Sequence, residues 1–458
     1  MTERLPAEVT LNAWADAPVG GALAADAVRW GARAGLPRSQ QALPIAPLVD
    51  EADWAHPDVG YGVLLPDRDD VDPVVRAAGG DAPEPVRRLI AGRPGTVALR
   101  WRPDLPSHLL RRYLPDGRAQ DPVIGLSRFG VGPGRLPRHV LIVGGPDQIP
   151  WSTQYALGVR HAVGRLPLPA DQIGSYVDAL LAGWPDASAR LAAPLVWSVD
   201  AGDITTLMRQ AVAGPLAAAL RDPSLPDAVE LTGPAATSKE LLTALLDQRP
   251  ALLVTSSHGR TAPLEDPTLL AAGLGLPVAA DHVTAPLSEL TAAVPAGTIW
   301  HAAACCSAGS DATSAFAGLL SPGGAAHRVV GAVAGLGDTV APAATALLSR
   351  PDPVRAIVGH VEPTFDWTLQ VAETGQSLGH ELVAAFSTQL HHGRPLGLAL
   401  AGYWAGVGQL HTDWATARDA LAPGDVAAQA RLTRLQLTAR DRQALVLLGD
   451  PTVTLAPG

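Results

Sequence analysis

From residue 138 onward the chain is a succession of short apolar runs that stop abruptly. "RHVLIVGG" (138–145), "APLVWSVD" (193–200), "DAVELTG" (227–233), "PALLVTSS" (250–257) and "GTIWHAAACC" (297–306) are rich in β-branched and large aliphatic residues. Each ends in Gly, Asp, Ser or Cys, the signature of buried strands closed by turns. Between them lie stretches with helical spacing: "DQIGSYVDALLAGW" (171–184), "ITTLMRQAVAGPLAAALRD" (204–222) and "SKELLTALLDQ" (238–248), the last with a serine placed to cap it and a glutamate shortly after. Strands that are apolar from end to end and separated by helices predict a mostly parallel sheet covered on both faces, a three-layer α/β/α sandwich.

Residues 1–130 read differently. They are rich in proline and arginine, with a helical scrap "PVRRLIAG", a strand-like "TVALRW" and no recognisable chemistry. The expected organisation is an N-terminal region of unnamed role (1–130) followed by α/β stretches over 131–190 and 191–458, to which the family resemblance given below assigns part of a noncatalytic half and the catalytic domain.

In open α/β sheets ligands bind beyond the carboxyl ends of the strands. Two runs end there in residues with chemistry: one at Ser257-His258-Gly259, the next at Cys305-Cys306, the only cysteines of the chain. A thiolate is a nucleophile, and a histidine from the adjacent strand can take its proton and return it to a leaving amine. The Gly259 N–H and the cysteine's own N–H are candidate oxyanion donors, each worth roughly 3 kcal/mol. "DATSAFAGLL" (311–320) reads as a helix whose N-terminus would further favour a thiolate. Asn12 is the only asparagine, which argues against a papain-type orienter and leaves a Cys-His dyad held by a backbone carbonyl.

The arrangement of strand, His-Gly, strand, Ala-Cys resembles the caspase-like (clan CD) cysteine peptidases, which include the gingipain and CHAT proteases. Three further segments are similar in the right order: "HVLIVGGPDQIPWSTQYALGVRHAVGRLPL" (139–168), "PVRAIVGHVEPTFDW" (353–367) and "ALVLLGDPTVTL" (444–455). The resemblance covers roughly 138 to 455. It implies a caspase-like catalytic domain preceded by a noncatalytic α/β half, His258 as general base and acid, Gly259 as oxyanion donor and Cys305 as nucleophile. "CSAG" from Cys306 leaves a second register open. The implied activity is hydrolysis of peptide bonds in a polypeptide substrate through a thioacyl-enzyme. A caspase-like scaffold or sensor without activity is the alternative.

Relatives read the residue before the scissile bond with a charged pocket. Arg260 follows the His-Gly, whereas Asp311, Glu362 and Asp366 follow the later strands, so Asp311 and Glu362 are the candidate substrate-binding acids and a basic residue is the expected preference. The long connections around 260–290 and 320–353 are candidate pocket walls, lids or self-cleavage sites, with Arg328 and Arg350 as the cut points.

His301 and Cys306 are expected in the core, and Asp450 in a turn. His360 closes another apolar run and is a second candidate for the cleft.

Adjacent cysteines lack the spacing of a zinc site, and the glycines of "VGGPDQIP" lack a phosphate-loop pattern, so no metal or cofactor is expected. The resemblance leaves calcium activation and an activating protein partner open. The 34 basic and 44 acidic residues, net −10, form no basic stripe, which excludes nucleic acid as the default partner. The first twenty residues lack the apolar core of a signal peptide, and no run of 18 apolar residues occurs, so no membrane association and cytoplasmic residence are expected.

Overall fold

The computed structural model describes residues 7–31, 49–371 and 374–455. The first six residues of the N-terminal reading and residues 32–48 of the region of unnamed role lie outside them. In chain order the principal strands are β1 (Glu8–Trp14), β2 (Pro18–Ala22), β3 (Tyr61–Pro66), β4 (Val97–Trp101), β5 (His139–Val143), β6 (Ala162–Leu166) and β7 (Leu195–Ser198). They continue with β8 (Val229–Thr232), β9 (Leu252–Ser256), β10 (His258–Arg260), β11 (Pro277–Val278), β12 (Ile299–Ala303), β13 (Ala356–His360) and β14 (Leu445–Gly449).

Ten of these form one sheet in the order β8-β7-β9-β12-β13-β14-β6-β5-β3-β4. Every neighbouring pair is parallel except β13 and β14, which run antiparallel. The sheet thus consists of two parallel blocks of opposite direction joined at a seam. β3 and β4, from the stretch whose role the sequence leaves unnamed, belong to the second block.

Helices cover both faces. Glu84–Gly92, Gly174–Ala182, Pro342–Ser349, Leu287–Ala293 and Ser238–Gln248 touch one another in that order along one face. Ile204–Ala219, His380–Ala399 and Ala401–Asp419 cover the other. This is the three-layer α/β/α arrangement expected from the apolar strands. The 238–248 helix is capped by Thr237, whose hydroxyl accepts the Glu240 N–H, rather than by Ser238.

The packing just inside the second block, beside the seam, explains two of the quoted motifs. At Gly164, in the Val-Gly-Arg strand, a Cβ would come within 2.1 Å of the Gly449 carbonyl oxygen, so β6 and β14 approach at a distance only glycine permits. Arg165 is fully buried beside it; its guanidinium donates to the Gln154 side chain (2.9 Å) and to the carbonyls of Gly144 (3.0 Å) and Pro150 (3.2 Å). Asp450 opens the turn expected of it, accepting the Thr452 N–H on its carboxylate at 2.8 Å, and is also a buried hub: it accepts the Tyr61 hydroxyl at 2.5 Å and pairs with Arg93 at 3.4 Å.

A second, smaller sheet has the order β11-β10-β1-β2. It lies at the carboxyl ends of β9 and β12 and carries His258. β1 is parallel to β10, with Ala13 opposite Gly259 and Trp14 opposite Arg260. β2 returns antiparallel to β1, and the register shifts between Leu11 and Trp14.

Candidate active site

His258 leaves the main sheet one residue beyond β9 and is buried. Its Nε2 bonds the Asp203 carboxylate at 2.8 Å, and its Nδ1 is buried without a partner. Asp203 stands at the carboxyl end of β7, the strand next to β9, and caps helix Ile204–Met208. It accepts the Thr205 N–H (2.9 Å) and hydroxyl (2.7 Å). Burial opposes ionisation of this carboxyl, but the hydrogen bonds from His258 and Thr205 hold it well below the usual carboxylate range. The orienter of the imidazole is thus a carboxylate and not the backbone carbonyl expected from the sequence. With Nε2 committed to Asp203, Nδ1 is the ring atom left for proton exchange.

Cys305 ends the adjacent strand β12. A Cβ on Gly259 would lie 2.0 Å from the Cys305 carbonyl oxygen and 2.9 Å from its nitrogen, so the backbones of the His-Gly and Ala-Cys segments are in direct contact. The chain then turns sharply. Cys306 adopts φ +57° and donates its N–H to the Glu362 carbonyl at 3.0 Å, while the Ser307 hydroxyl reaches back to the Ala302 carbonyl at 2.7 Å. No helix follows: Asp311 closes a turn on the Thr313 N–H, and the next helix starts at Ala325. The helix expected at 311–320 is therefore absent, and with it the expected dipole near the thiol.

The Cys305 thiol is fully buried. Its Sγ accepts the Thr364 N–H at 3.2 Å and lies 3.8 Å from the Thr364 hydroxyl oxygen. Burial pushes the thiol well up, against those hydrogen bonds. Imidazole and thiol do not hydrogen-bond each other in this closed arrangement.

What closes the site is β1. The Cys305 N–H points at the Asn12 carbonyl oxygen, 3.3 Å away. Thr261 donates to the Trp14 carbonyl at 2.9 Å and Arg260 to Leu276 at 2.9 Å. In a parallel ladder with Ala13 opposite Gly259 this phase directs the Gly259 N–H to the same Asn12 oxygen. Further toward its start, along this same edge, β1 is antiparallel to 364–366, while β2 holds the opposite edge: Asn12 N–H donates to the Thr364 carbonyl (2.9 Å), Leu11 bridges Phe365, and Thr10 N–H reaches the Asp366 carboxylate (3.4 Å). Trp14 lies with its ring 5.5 Å from that of His258 and stacks on His282 at 4.2 Å.

The Asn12 side chain turns into a cavity of about 60 Å³ between the sheet and the 204–213 and 378–382 segments. His301 and His360 line it too; His301 is buried, as expected, and stacks on Phe386 at 4.6 Å where it borders this cavity.

The two candidate acids do not line the cavity. Glu362 is buried with φ +70° and turns its carboxylate to the Ala315 N–H; burial raises it to about 8. Asp311 serves its own turn. Of the proposed cut points, Arg328 is inside helix Ala325–Ala334, and Arg350, in the connection after helix Pro342–Ser349, has its guanidinium tied to the Thr291 and Val294 carbonyls at the end of helix Leu287–Ala293, at 2.7 and 2.8 Å. Among the described residues no group of three or more His, Cys, Asp or Glu is placed to hold a metal ion, and no helix is long and apolar enough to cross a membrane.

No known family model matches the chain, and no curated protein does.

Proposed function

We propose that the protein is a cysteine peptidase of caspase-like type, in which Cys305 attacks a peptide carbonyl and His258 carries the proton. The observation that supports this reading above the others is the Cys305 N–H directed at a backbone carbonyl of an extended peptide segment, beside an imidazole held by Asp203 with its second nitrogen free. A peptide lying there has its carbonyl between two backbone donors, the arrangement that stabilises a tetrahedral oxyanion. The same geometry favours Cys305 over Cys306, whose N–H is spent on Glu362.

A scaffold without activity has one observation in its favour, the deeply buried thiol bonded by Thr364 rather than by His258. Cleavage of a denatured proteome decides between them, with new N-termini read by mass spectrometry for wild type, Cys305→Ala, Cys306→Ala and His258→Ala. The peptidase reading expects termini from wild type and Cys306→Ala only. A wild type that yields none supports the scaffold.

A further inference from the structure

The polar atoms around Asn12 carry the next step. Both side-chain atoms of Asn12, fully buried, are without partners, and so are Ser256 Oγ, His301 Nε2, His360 Nδ1 and Asp441 Oδ1, on residues that line the same cavity. Buried polar atoms are almost always paired, and here the carboxamide sits unbonded among polar atoms that could pair with it, on walls otherwise formed by apolar side chains such as Met208, Phe365 and Leu382. Asn12, which lines the cavity, is also the residue whose carbonyl Cys305 addresses, so its side chain is the one that precedes a bond broken at that carbonyl.

Resting on the peptidase reading, we propose that this cavity is the specificity pocket, that it reads asparagine, and that the Asn12–Ala13 bond of the chain itself is the one set for cleavage. The chemistry of the walls favours a neutral amide. His301 donates Nδ1–H to the Val358 carbonyl at 3.3 Å, which leaves Nε2 as an acceptor; the Ser256 hydroxyl both donates and accepts. Burial keeps the imidazoles neutral, pushing His301 down to about 4 and His360 to about 3. Asp441 and Arg442 stand side by side on the wall, burial raises Asp441 to about 7 and Arg442 faces Glu381 at 3.7 Å, so the wall presents no unopposed charge to attract an acidic or basic side chain. A carboxamide, with donors and an acceptor and no charge, needs none.

The step balances within the site. The Cys305 thiol gives its proton to His258 Nδ1 as Sγ bonds to the Asn12 carbonyl carbon. The Asn12–Ala13 C–N bond breaks, and the Ala13 nitrogen takes the proton from His258. Water then adds to the thioester, restoring the Cys305 thiol and leaving Asn12 as a carboxylic acid.

The test uses the full chain. Purified wild type, Cys305→Ala and Asn12→Arg are incubated and weighed intact, with thermal unfolding run on each. Wild type and Cys305→Ala are also given Glu-Val-Thr-Leu-Asn-Ala-Trp and its versions with Asp or Arg in place of Asn. The expected results are a wild-type chain beginning at Ala13, intact Cys305→Ala and Asn12→Arg chains, and kcat/KM for the Asn peptide about 100-fold or more above the other two, because a site built to bond one polar group rejects analogues strongly. Preferred cleavage after Arg or Asp, or peptide cleavage by a wild type that keeps residues 1–12, overturns the assignment and leaves the peptidase reading standing. Failure of every peptide together with a silent proteome assay overturns both.

Discussion

The Asn12 carbonyl oxygen lies 3.3 Å from the Cys305 nitrogen, while the Asn12 nitrogen donates to the Thr364 carbonyl at 2.9 Å. Both backbone groups of one N-terminal residue are thereby tied to the ends of two structural segments of the candidate site. β1 is held as an added strand, antiparallel to one neighbour and parallel to the other, and its removal exposes the groups that a peptide from outside would use.

On the proposed peptidase reading Asp203 is a positioning residue. Asp203→Asn keeps an oxygen for the Thr205 N–H but loses the charge and sets an amide N–H against His258 Nε2, so stability at neutral pH should fall by about 1–3 kcal/mol. Peptidase kcat should fall by about 10²- to 10⁴-fold, more than the folded fraction does. Asp203→Ala should additionally cost about 1 kcal/mol through the lost helix cap, seen in urea unfolding.

Gly259→Ala tests the contact between the His-Gly and Ala-Cys segments. The new methyl would sit 2.0 Å from the Cys305 carbonyl oxygen, which is backbone and cannot swing away. A loss of about 2–3 kcal/mol or more in urea unfolding is expected. An unchanged midpoint would mean that β10 and the turn after β12 are not in contact.

The Asp450 hub should be among the costliest positions in the second block. Asp450→Ala leaves Arg93, itself buried, without its carboxylate and frees the Tyr61 hydroxyl. About 3–5 kcal/mol should be lost. Tyr61→Phe removes only one hydrogen bond and should cost about 1–2 kcal/mol, and denaturant midpoints separate the two.

Glu362 sets a pH dependence whose sign is opposite to that of an ion-paired carboxylate. Burial raises it to about 8, against roughly 4.3 in an unfolded chain. The folded state therefore holds a proton that the unfolded state releases in between. Its contribution is present in full below about pH 4 and is lost as pH rises through about 8. Glu362→Gln should match wild type near pH 4 and exceed it by on the order of 2–4 kcal/mol at pH 8.5, measured as urea midpoints at both values.

The main sheet and the placing of His258 and Cys305 just beyond adjacent strands were legible because they are local. A run such as "LLVTSSHG" announces a buried strand and its end by the residues themselves, and the structure has β9 and His258 there. Asp203 carried a readable signal, an aspartate just before an apolar helical stretch, but its partnership with His258 depends on β7 lying beside β9, which is sheet order and not periodicity. β1 is the clearest failure of local reading. "EVTLNAW" is an ordinary short strand, and what gives it meaning is pairing with residues 259–260 and 364–366, far away in the chain. Asn12 was weighed only as an orienting residue, and its backbone proved to be the relevant part. The helix expected at 311–320 fails for a different reason. Asp311, Ser314 and Glu362 satisfy the backbone N–H groups of that stretch in turns, which removes the need for a helix to do so.

The scarcity of asparagine gains a meaning from where the single one sits. A peptidase is always dissolved in its own substrate, since each copy is a polypeptide that every other copy can digest. Under the asparagine assignment proposed above, the site finds one address among the 458 residues of this chain, and β1 already carries it to the Cys305 N–H. On that assignment, once the bond is spent neighbouring molecules offer one another nothing further to cut, and a concentrated population stops at a single defined shortening.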